Sequence, residues 1–188
     1  MVPLGVDIFG ALKALLGMVH VGALPGSPRA DGRRVAEIAQ QAAEAGIARA
    51  DVIACCGGGG LTSGIALALE AEAPGLRART AEPEGFDDAA RSLAAGEITR
   101  NAALGGSICD AIVTPQPGDL TFPILKRLCG PGLVVSDAEA LQAIGHAFNR
   151  LKLVAEPGGA VALAAALFRQ DEIDGDDVGD FVQALLRR

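Results

Sequence analysis

A run of four glycines that directly follows a short apolar segment constrains this chain more than any other feature. Residues 52–56 have the length and β-branching of a buried parallel strand, and residues 61–73 are rich in alanine and leucine, as a helix would be. A strand, a glycine turn and a helix in this order present unpaired backbone N–H groups at the positive end of the helix dipole. Glycine lets those groups approach a phosphate because no Cβ intervenes.

The glycine spacing matches neither common nucleotide-binding signature. No Gly-Lys-Ser/Thr follows the run, and Thr62 stands where G-x-G-x-x-G needs its third glycine. From the residues alone, two interpretations of the turn are open. It is either a phosphate-binding loop or a tight strand-to-helix turn whose glycines serve packing.

Composition narrows the class of protein and its partners. Half of the 188 residues are apolar, which predicts a packed globular protein, and the net charge of −7 argues against nucleic acid or an anionic membrane as partner. There is no run of about 18 apolar residues, so no membrane span is expected, and the N-terminus lacks the basic region of a signal peptide. The cysteines and histidines lack metal or redox spacing, which predicts buried thiols and a cytoplasmic protein.

The chain alternates between strand-like and helix-like segments. This alternation predicts an α/β protein with an open, mostly parallel sheet flanked by helices. The predicted strands are 17–23, 52–56, 76–81, 111–114 and 133–135. The predicted helices are 33–45, 61–73, 87–94, 117–128, 137–151, 160–168 and 181–188. Ser136 or Asp137 is expected to cap helix 137–151, and Glu139 completes a capping box if Ser136 is the cap.

Six motifs occur in order along the chain. They are C-G-G-G-G-L at 56–61, E-P-E-G-F-D-D at 82–88, S-I-C-D-A at 107–111, P-G-D-L-T-F-P-I at 117–124, L-V-V-S-D at 133–137 and L-K-L-V-A-E-P-G-G-A at 151–160. In these motifs, residues from about 35 to 168 resemble the C-terminal half of a fold-type II pyridoxal-phosphate enzyme of the threonine/serine dehydratase and serine racemase family. The resemblance implies an incomplete large domain of that fold.

The resemblance implies two binding sites. The first holds the phosphate of pyridoxal phosphate through the backbone N–H groups of the glycine run: Gly57, Gly58, Gly59, Gly60 and Leu61. The second is a cation site built from oxygen ligands: Glu82, the carbonyl of Phe86, and Asp88. Ligands of this kind suit Mg²⁺ or Ca²⁺. From the residues alone, the acidic side chains could instead cap the helix that follows them.

Several features of the family are missing from this sequence, so no catalytic residue is assigned. The family forms a Schiff base through a lysine in an N-terminal Ser-x-Lys-type motif, which an asparagine loop follows. A late strand ends in Ser-Gly-Gly-Asn, whose serine meets the pyridine nitrogen. The lysines of this chain are Lys13, Lys126 and Lys152, and none has a matching position. Residues 173–178 run straight into the last helix where the late strand would be expected.

The resemblance therefore implies a threonine/serine ammonia-lyase, expected as a truncated copy that is inactive alone because the Schiff-base lysine is missing. The alternative is a non-catalytic module that binds a phosphate and a divalent cation, or a subunit fragment. The implied partners are a small amino acid substrate and a homo-oligomer or complementing chain.

The first 33 residues differ in character from the rest. Segment 16–29, L-G-M-V-H-V-G-A-L-P-G-S-P-R, resembles the opening of the BtpA-like family, which is linked to photosystem I assembly and has a TIM-type barrel fold. It covers only the first strand and loop of such a barrel, so no function is carried over. The sequence predicts a boundary between an N-terminal segment, 1–33, and an α/β domain, 34–188.

Overall fold

The computed structural model describes residues 49–173, and within that range it contains three strands and five α-helices. The strands are β1, Ala50–Cys55; β2, Leu76–Pro83; and β3, Leu133–Val135. The helices are α1, Gly60–Glu72; α2, Asp88–Ala95; α3, Phe122–Leu128; α4, Asp137–His146; and α5, Pro157–Phe168. The predicted segments 17–23, 33–45 and 181–188 lie outside the described residues, and so does the predicted boundary at residue 33.

The three strands form one parallel sheet in the order β1-β2-β3. Ala50 pairs with Leu76 at the start of β1, and Cys55 pairs with Ala81 at its end. Strand β3 is paired with the last three residues of β2, up to Pro83 and Val135. The prediction of an α/β fold with a parallel sheet flanked by helices is confirmed. All three strands end at the same edge, which is where open α/β sheets bind ligands.

The two faces of the sheet pack against different helices because side chains alternate along each strand. Ala54 and Ala78 point to one face, where Ile65 and Leu69 of α1 cover them. The opposite face carries the larger core. It is made of buried apolar residues from β2, β3, α4 and α5, among them Ala81, Leu133, Val135, Ala140, Ala143, Val161, Ala164 and Ala165.

The strand predicted at 111–114 is wrong. The backbone there forms a 3₁₀ turn, Asp110–Ile112. The turn is closed by a hydrogen bond from the Ile112 N–H to the Cys109 carbonyl at 3.0 Å. Just before it, the Asp137 carboxylate at the start of α4 accepts hydrogen bonds from the Ser107 hydroxyl at 2.6 Å and the Ile108 N–H at 3.1 Å. Local β-branching does not reveal these contacts.

Three predicted helices differ from the structure by more than one residue. Helix α5 begins at Pro157 instead of residue 160, because proline is favoured in the first turn of a helix. Helix α3 begins at Phe122 instead of residue 117, because the Gly118 N–H is bound to the Gly58 carbonyl at 3.0 Å. The helix predicted to reach residue 151 changes after His146 into a π-helical turn, Ala147–Leu151.

The predicted capping box at the start of α4 is confirmed, with Ser136 as the cap. Its hydroxyl accepts a hydrogen bond from the Glu139 N–H at 3.3 Å, and the Ser136 N–H donates to the Glu139 carboxylate at 2.7 Å. The Arg169 guanidinium beside that carboxylate also lowers the pKa of Glu139. The capping box fixes the start of α4. The ion pair between Arg169 and Glu139 holds this start against the residue that follows α5.

The longest α-helix within residues 49–173 has 13 residues, which is too short to cross the hydrocarbon core of a bilayer.

A buried ion pair joins β1 to β2 at the amino end of the sheet. Asp51 lies 2.9 Å from the Arg79 guanidinium, and these side chains are only 1% and 3% exposed. Arg79 also donates to the carbonyls of Pro131, at 2.7 Å, and Glu172. Asp51 forms a second ion pair, with Arg77, at 2.9 Å. This network ties both strands to the loop before β3 and to the turn after α5.

We expect Asp51→Asn to lower the free energy of unfolding by about 3 kcal/mol, because it leaves the Arg79 guanidinium buried without its counter-charge. Urea unfolding followed by circular dichroism measures this change. The matched control is Glu70→Gln, which breaks the exposed ion pair between Glu70 and Arg127 and should leave the midpoint nearly unchanged. Equal midpoint shifts in both variants would contradict the conclusion that the buried ion pair contributes more to stability than the exposed one.

Candidate functional site

The glycine run lies at the carboxyl edge of the sheet, between β1 and α1. Gly59 is the N-cap residue of α1 and has a φ of 88°, a conformation that side chains disfavour. Its carbonyl accepts the first helical bond, from the Ser63 N–H, at 2.9 Å. The structure therefore brings Gly57, Gly58, Gly59, Gly60 and Leu61 together in a single turn, as the sequence predicts.

The first turn of α1 leaves its backbone donors open. Helical geometry provides no acceptor for the N–H groups of Gly60, Leu61 and Thr62. None of the described residues, 49–173, supplies one either. Three such donors at the positive end of a 13-residue helix form an anion-binding arrangement.

The four glycines differ in the space around them, as judged from the atoms that an added Cβ would contact. At Gly57 it would lie 3.1 Å from the Ile112 carbonyl oxygen, and at Gly59 it would lie 2.8 Å from the Leu125 side chain. These two glycines serve packing within the chain. At Gly58 and Gly60 a Cβ would meet no atom of the described residues within 4 Å.

Both interpretations of the turn thus apply, each to different glycines. The open space at Gly58 and Gly60 adjoins the open donors of α1, so the residues present fit a bound phosphate.

Residues 118–121 hold the turn from the side of α3. The Gly58 carbonyl accepts hydrogen bonds from the Gly118 N–H at 3.0 Å and the Thr121 hydroxyl at 2.6 Å. The Ser63 hydroxyl donates to the Thr121 carbonyl at 3.3 Å. Sequence reasoning did not assign Gly118 or Thr121 to the site, although both lie in the motif P-G-D-L-T-F-P-I.

The two predicted acidic ligands lie together at the end of β2 and the start of α2. The Glu82 carboxylate is fully buried and accepts hydrogen bonds from the Ala89 N–H at 2.8 Å and the Ala90 N–H at 2.7 Å. Glu82 therefore caps α2 from a distance, which is the capping role considered for the acidic residues. Asp87 occupies the N-cap position of α2, but its side chain makes no capping bond.

Asp88 is also fully buried, and its two carboxylate oxygens differ. Oδ1 accepts a hydrogen bond from the Asn101 amide at 2.6 Å. Oδ2 is buried and has no hydrogen-bond partner among the described residues. Nor does any donor within 49–173 reach the Phe86 carbonyl oxygen, the third predicted ligand. These two oxygens, with the spare lone pairs of Glu82, fit a hard cation.

No three His, Cys, Asp or Glu side chains cluster as metal ligands in the described part of the chain, so a cation here would depend on the Phe86 carbonyl.

Burial changes the titration of these acids. Burial, followed by the nearby charges of Asp88 and Asp87, raises the pKa of Glu82 to about 8, despite the two N–H donors that favour its ionised form. Burial also raises the pKa of Asp88, although its bond from Asn101 opposes this. A proton on Glu82, or a cation, is therefore expected to reduce the negative charge of this pair near pH 7.

The acidic pair, Glu82 and Asp88, lies near the glycine turn. Burial and then the charge of Glu82 raise the pKa of Cys56, which directly precedes Gly57, and Asp88 contributes in the same direction. Both sites thus lie at the same edge of the sheet.

The two described lysines are bound to backbone carbonyls outside the glycine turn. The exposed Lys126 amine donates to the carbonyl of Gly96 at 2.7 Å, and the exposed Lys152 amine donates to that of Asn149 at 3.0 Å. Lys13 lies outside the described residues.

Comparison with known proteins places these features in a family. The family described as pyridoxal-phosphate dependent enzyme matches residues 18–182. The serine racemase of Oryza sativa subsp. indica is 41% identical over 116 residues, which is 62% of this chain and 34% of the relative. The L-threo-3-hydroxyaspartate ammonia-lyase of Pseudomonas sp is 36% identical over 126 residues, 67% of this chain and 39% of the relative. The chain thus spans well under half the length of these curated relatives.

Solved structures show the same similarity. The T.th. threonine deaminase superposes with a TM-score of 0.70 at 39% identity, over 76% of this chain and 52% of that chain. Maize serine racemase superposes with a TM-score of 0.65 at 35% identity, over 75% of this chain and 44% of that chain.

We expect the melting temperature of the chain in a chelating buffer to fall between pH 5 and pH 8. An unfolded glutamate loses its proton near its ordinary pKa of 4.5, whereas folded Glu82 keeps its proton up to about 8. The native state then holds more protons than the unfolded state, so its stability decreases as the pH rises, by on the order of a few kcal/mol. Scanning calorimetry measures this slope. Glu82→Gln, which mimics the protonated form, should flatten it, and an unchanged slope would contradict the raised pKa.

Proposed function

The chain belongs to the fold-type II family of pyridoxal-phosphate dependent enzymes, which includes serine racemases and threonine deaminases, and from this premise we propose that its glycine turn binds the phosphate of pyridoxal phosphate. The observation that carries the proposal is the open space at Gly58 and Gly60 beside the N–H groups of α1 that have no acceptor within residues 49–173. The glycine motif of this turn is one of those shared with the family. A phosphate dianion there would accept several backbone hydrogen bonds at the positive end of the helix.

The proposed reaction is the removal of ammonia from a hydroxy amino acid such as L-threonine or L-serine. Pyridoxal phosphate supplies the electron withdrawal that weakens bonds at the α-carbon of an amino acid. The residues of this chain would hold the phosphate through the N–H groups at the start of α1. The relatives named as serine racemase, hydroxyaspartate ammonia-lyase and threonine deaminase support this class of substrate.

We propose further that the chain by itself binds the cofactor without turning over substrate. Among the described residues no lysine is bound at the turn, since Lys126 donates to the Gly96 carbonyl and Lys152 donates to the Asn149 carbonyl. A complementing chain would then supply the amine. The alternative function is a non-catalytic module that binds a phosphate ligand.

Gly60→Asp tests phosphate binding with little effect on the fold. Residue 60 is the first of α1, where an acidic side chain favours the helix dipole, and a Cβ there has free space. We expect it to weaken pyridoxal phosphate binding at least about tenfold, because its carboxylate repels the phosphate. Fluorescence titration of the full chain at 0.15 M salt measures the affinity, with pyridoxal, which lacks the phosphate, as the reference ligand.

The matched control is Gly64→Asp, one turn further along α1, where a Cβ also meets no atom within 4 Å in the described part of the chain. It should change the affinity by less than about threefold, since salt screens exposed charges. Equal effects of the two variants, or none at Gly60, would contradict the phosphate assignment. The chain is also proposed to be inactive without a complementing chain. Release of a keto acid from L-threonine or L-serine by this chain alone would contradict that proposal.

A second candidate function is divalent-cation binding by Glu82, the Phe86 carbonyl and Asp88. The specific observation in its favour is the buried Asp88 Oδ2, which has no hydrogen-bond partner among residues 49–173. A cation would ligate this oxygen and offset the repulsion between the two carboxylates.

We expect millimolar Mg²⁺ or Ca²⁺ to raise the melting temperature by several degrees at pH 8 and less at pH 5, where protons compete for the carboxylates. Asp88→Asn should abolish the increase, and Asp110→Asn, a change at an exposed carboxylate outside the set, should keep it. The same cation effect in all three proteins would exclude this site.

A further inference from the structure

We propose that Thr121 is a positioning residue that aims the Gly59 N–H into the phosphate site by holding the carbonyl of Gly58. The inference rests on the proposed function, because it gives a phosphate-binding turn the device that orients one of its donors. It concerns the chain's own hydrogen bonds, so it can also be tested without a ligand.

The Thr121 hydroxyl has an unusual partner for its place in the fold. Thr121 is the N-cap residue of α3, where a threonine hydroxyl ordinarily accepts a hydrogen bond from the first turn of its own helix. It makes no such bond here. Its closest partner is instead the Gly58 carbonyl, at 2.6 Å, 63 residues away in sequence, and it lies 3.1 Å from the carbonyl of Gly118.

The Gly58 carbonyl is held by two donors. Besides the Thr121 hydroxyl, the Gly118 N–H donates to it at 3.0 Å. A carbonyl oxygen has two lone pairs, so both are used by residues on the α3 side of the turn. The orientation of the peptide between Gly58 and Gly59 is thereby fixed.

That orientation determines where the next N–H points. A trans peptide is planar, with its C=O and N–H antiparallel, and no cis peptide occurs among the described residues. With the Gly58 oxygen turned toward α3, the Gly59 N–H points away from α3. Gly58 and Gly60, where a Cβ would meet none of the described residues within 4 Å, flank this N–H. It therefore joins the open donors of α1 in the proposed site.

The peptide between Gly58 and Gly59 has to be held in place because both of its residues are glycines. Glycine tolerates positive and negative φ about equally, so the peptide between Gly58 and Gly59 could turn over at low cost. The turned-over peptide would present a carbonyl oxygen to the phosphate in place of an N–H. The Thr121 hydroxyl supplies the shorter of the two bonds that keep the peptide in the orientation that attracts an anion, although losing this bond costs little of the overall stability.

Thr121→Val is the primary variant, because it keeps the shape and removes the hydroxyl, and Thr121→Ser restores the hydroxyl. Affinity is measured by titrating the full chain with pyridoxal phosphate and with pyridoxal. The expected loss in Thr121→Val is about tenfold for pyridoxal phosphate, as for removal of a hydrogen bond to a charged group, and less than about twofold for pyridoxal. Thr121→Ser should return to within about threefold of the original affinity.

Thr114→Val is the matched control at the same turn. The Thr114 methyl group would contact a Cβ at Gly57 at 3.2 Å, but its buried hydroxyl has no hydrogen-bond partner among the described residues. Removing this hydroxyl should leave both affinities unchanged. An equal loss in Thr114→Val and Thr121→Val, or no rescue by serine, would overturn the positioning role. If the valine variant does not fold, Thr121→Ala serves in its place.

The amide spectrum of the ligand-free chain separates this inference from the proposed function. In ¹H–¹⁵N correlation spectra, Thr121→Val should displace the Gly59 resonance, and Thr121→Ser should return it to its original position. A Gly59 resonance that is unchanged in Thr121→Val would overturn the positioning role. Failure of the original chain to bind pyridoxal phosphate would instead refute the proposed function, and the Gly59 resonance would then decide alone whether Thr121 sets the peptide.

Discussion

The open donors at the start of α1 are the constraint on which the arrangement of this protein depends. The first N–H groups of a helix have no acceptor within the helix, and Gly60 and Leu61 are exposed, so these donors are accessible to solvent or to an anion. The parallel sheet provides the space, because all three strands end at this edge. Residues 118–121 provide the orientation by binding the Gly58 carbonyl from the other side.

A second electrostatic feature lies at the same edge. Glu82 ends its strand beside β3 and caps α2, while Asp88 begins α2 with one buried oxygen that has no hydrogen-bond partner in the described range. Both acids influence Cys56, which directly precedes the glycine run. The acidic pair therefore lies close to the start of the glycine turn. The proposed cation site and the proposed phosphate site are neighbours at this edge of the sheet.

Local sequence patterns predicted the parts of this structure that depend on local chemistry. The strand before the glycines, the capping box of Ser136 and the α/β class follow from periodicity and capping rules, and the structure has all three. The strand predicted at 111–114 is wrong, and local patterns do not reveal the contact just before it between Ser107 and Asp137, 30 residues away. Thr121 was missed for the same reason. Its hydroxyl resembles an ordinary helix cap, and its partner, Gly58, becomes visible only in three dimensions.

A crystal structure of the chain with pyridoxal phosphate tests the central claim most directly. It should place phosphate oxygens within about 3 Å of the N–H groups of Gly59, Gly60 and Leu61, with the Gly58 carbonyl still bound to Thr121. A phosphate located elsewhere, or a glycine turn whose donors are taken up by other residues of the chain, would contradict the claim.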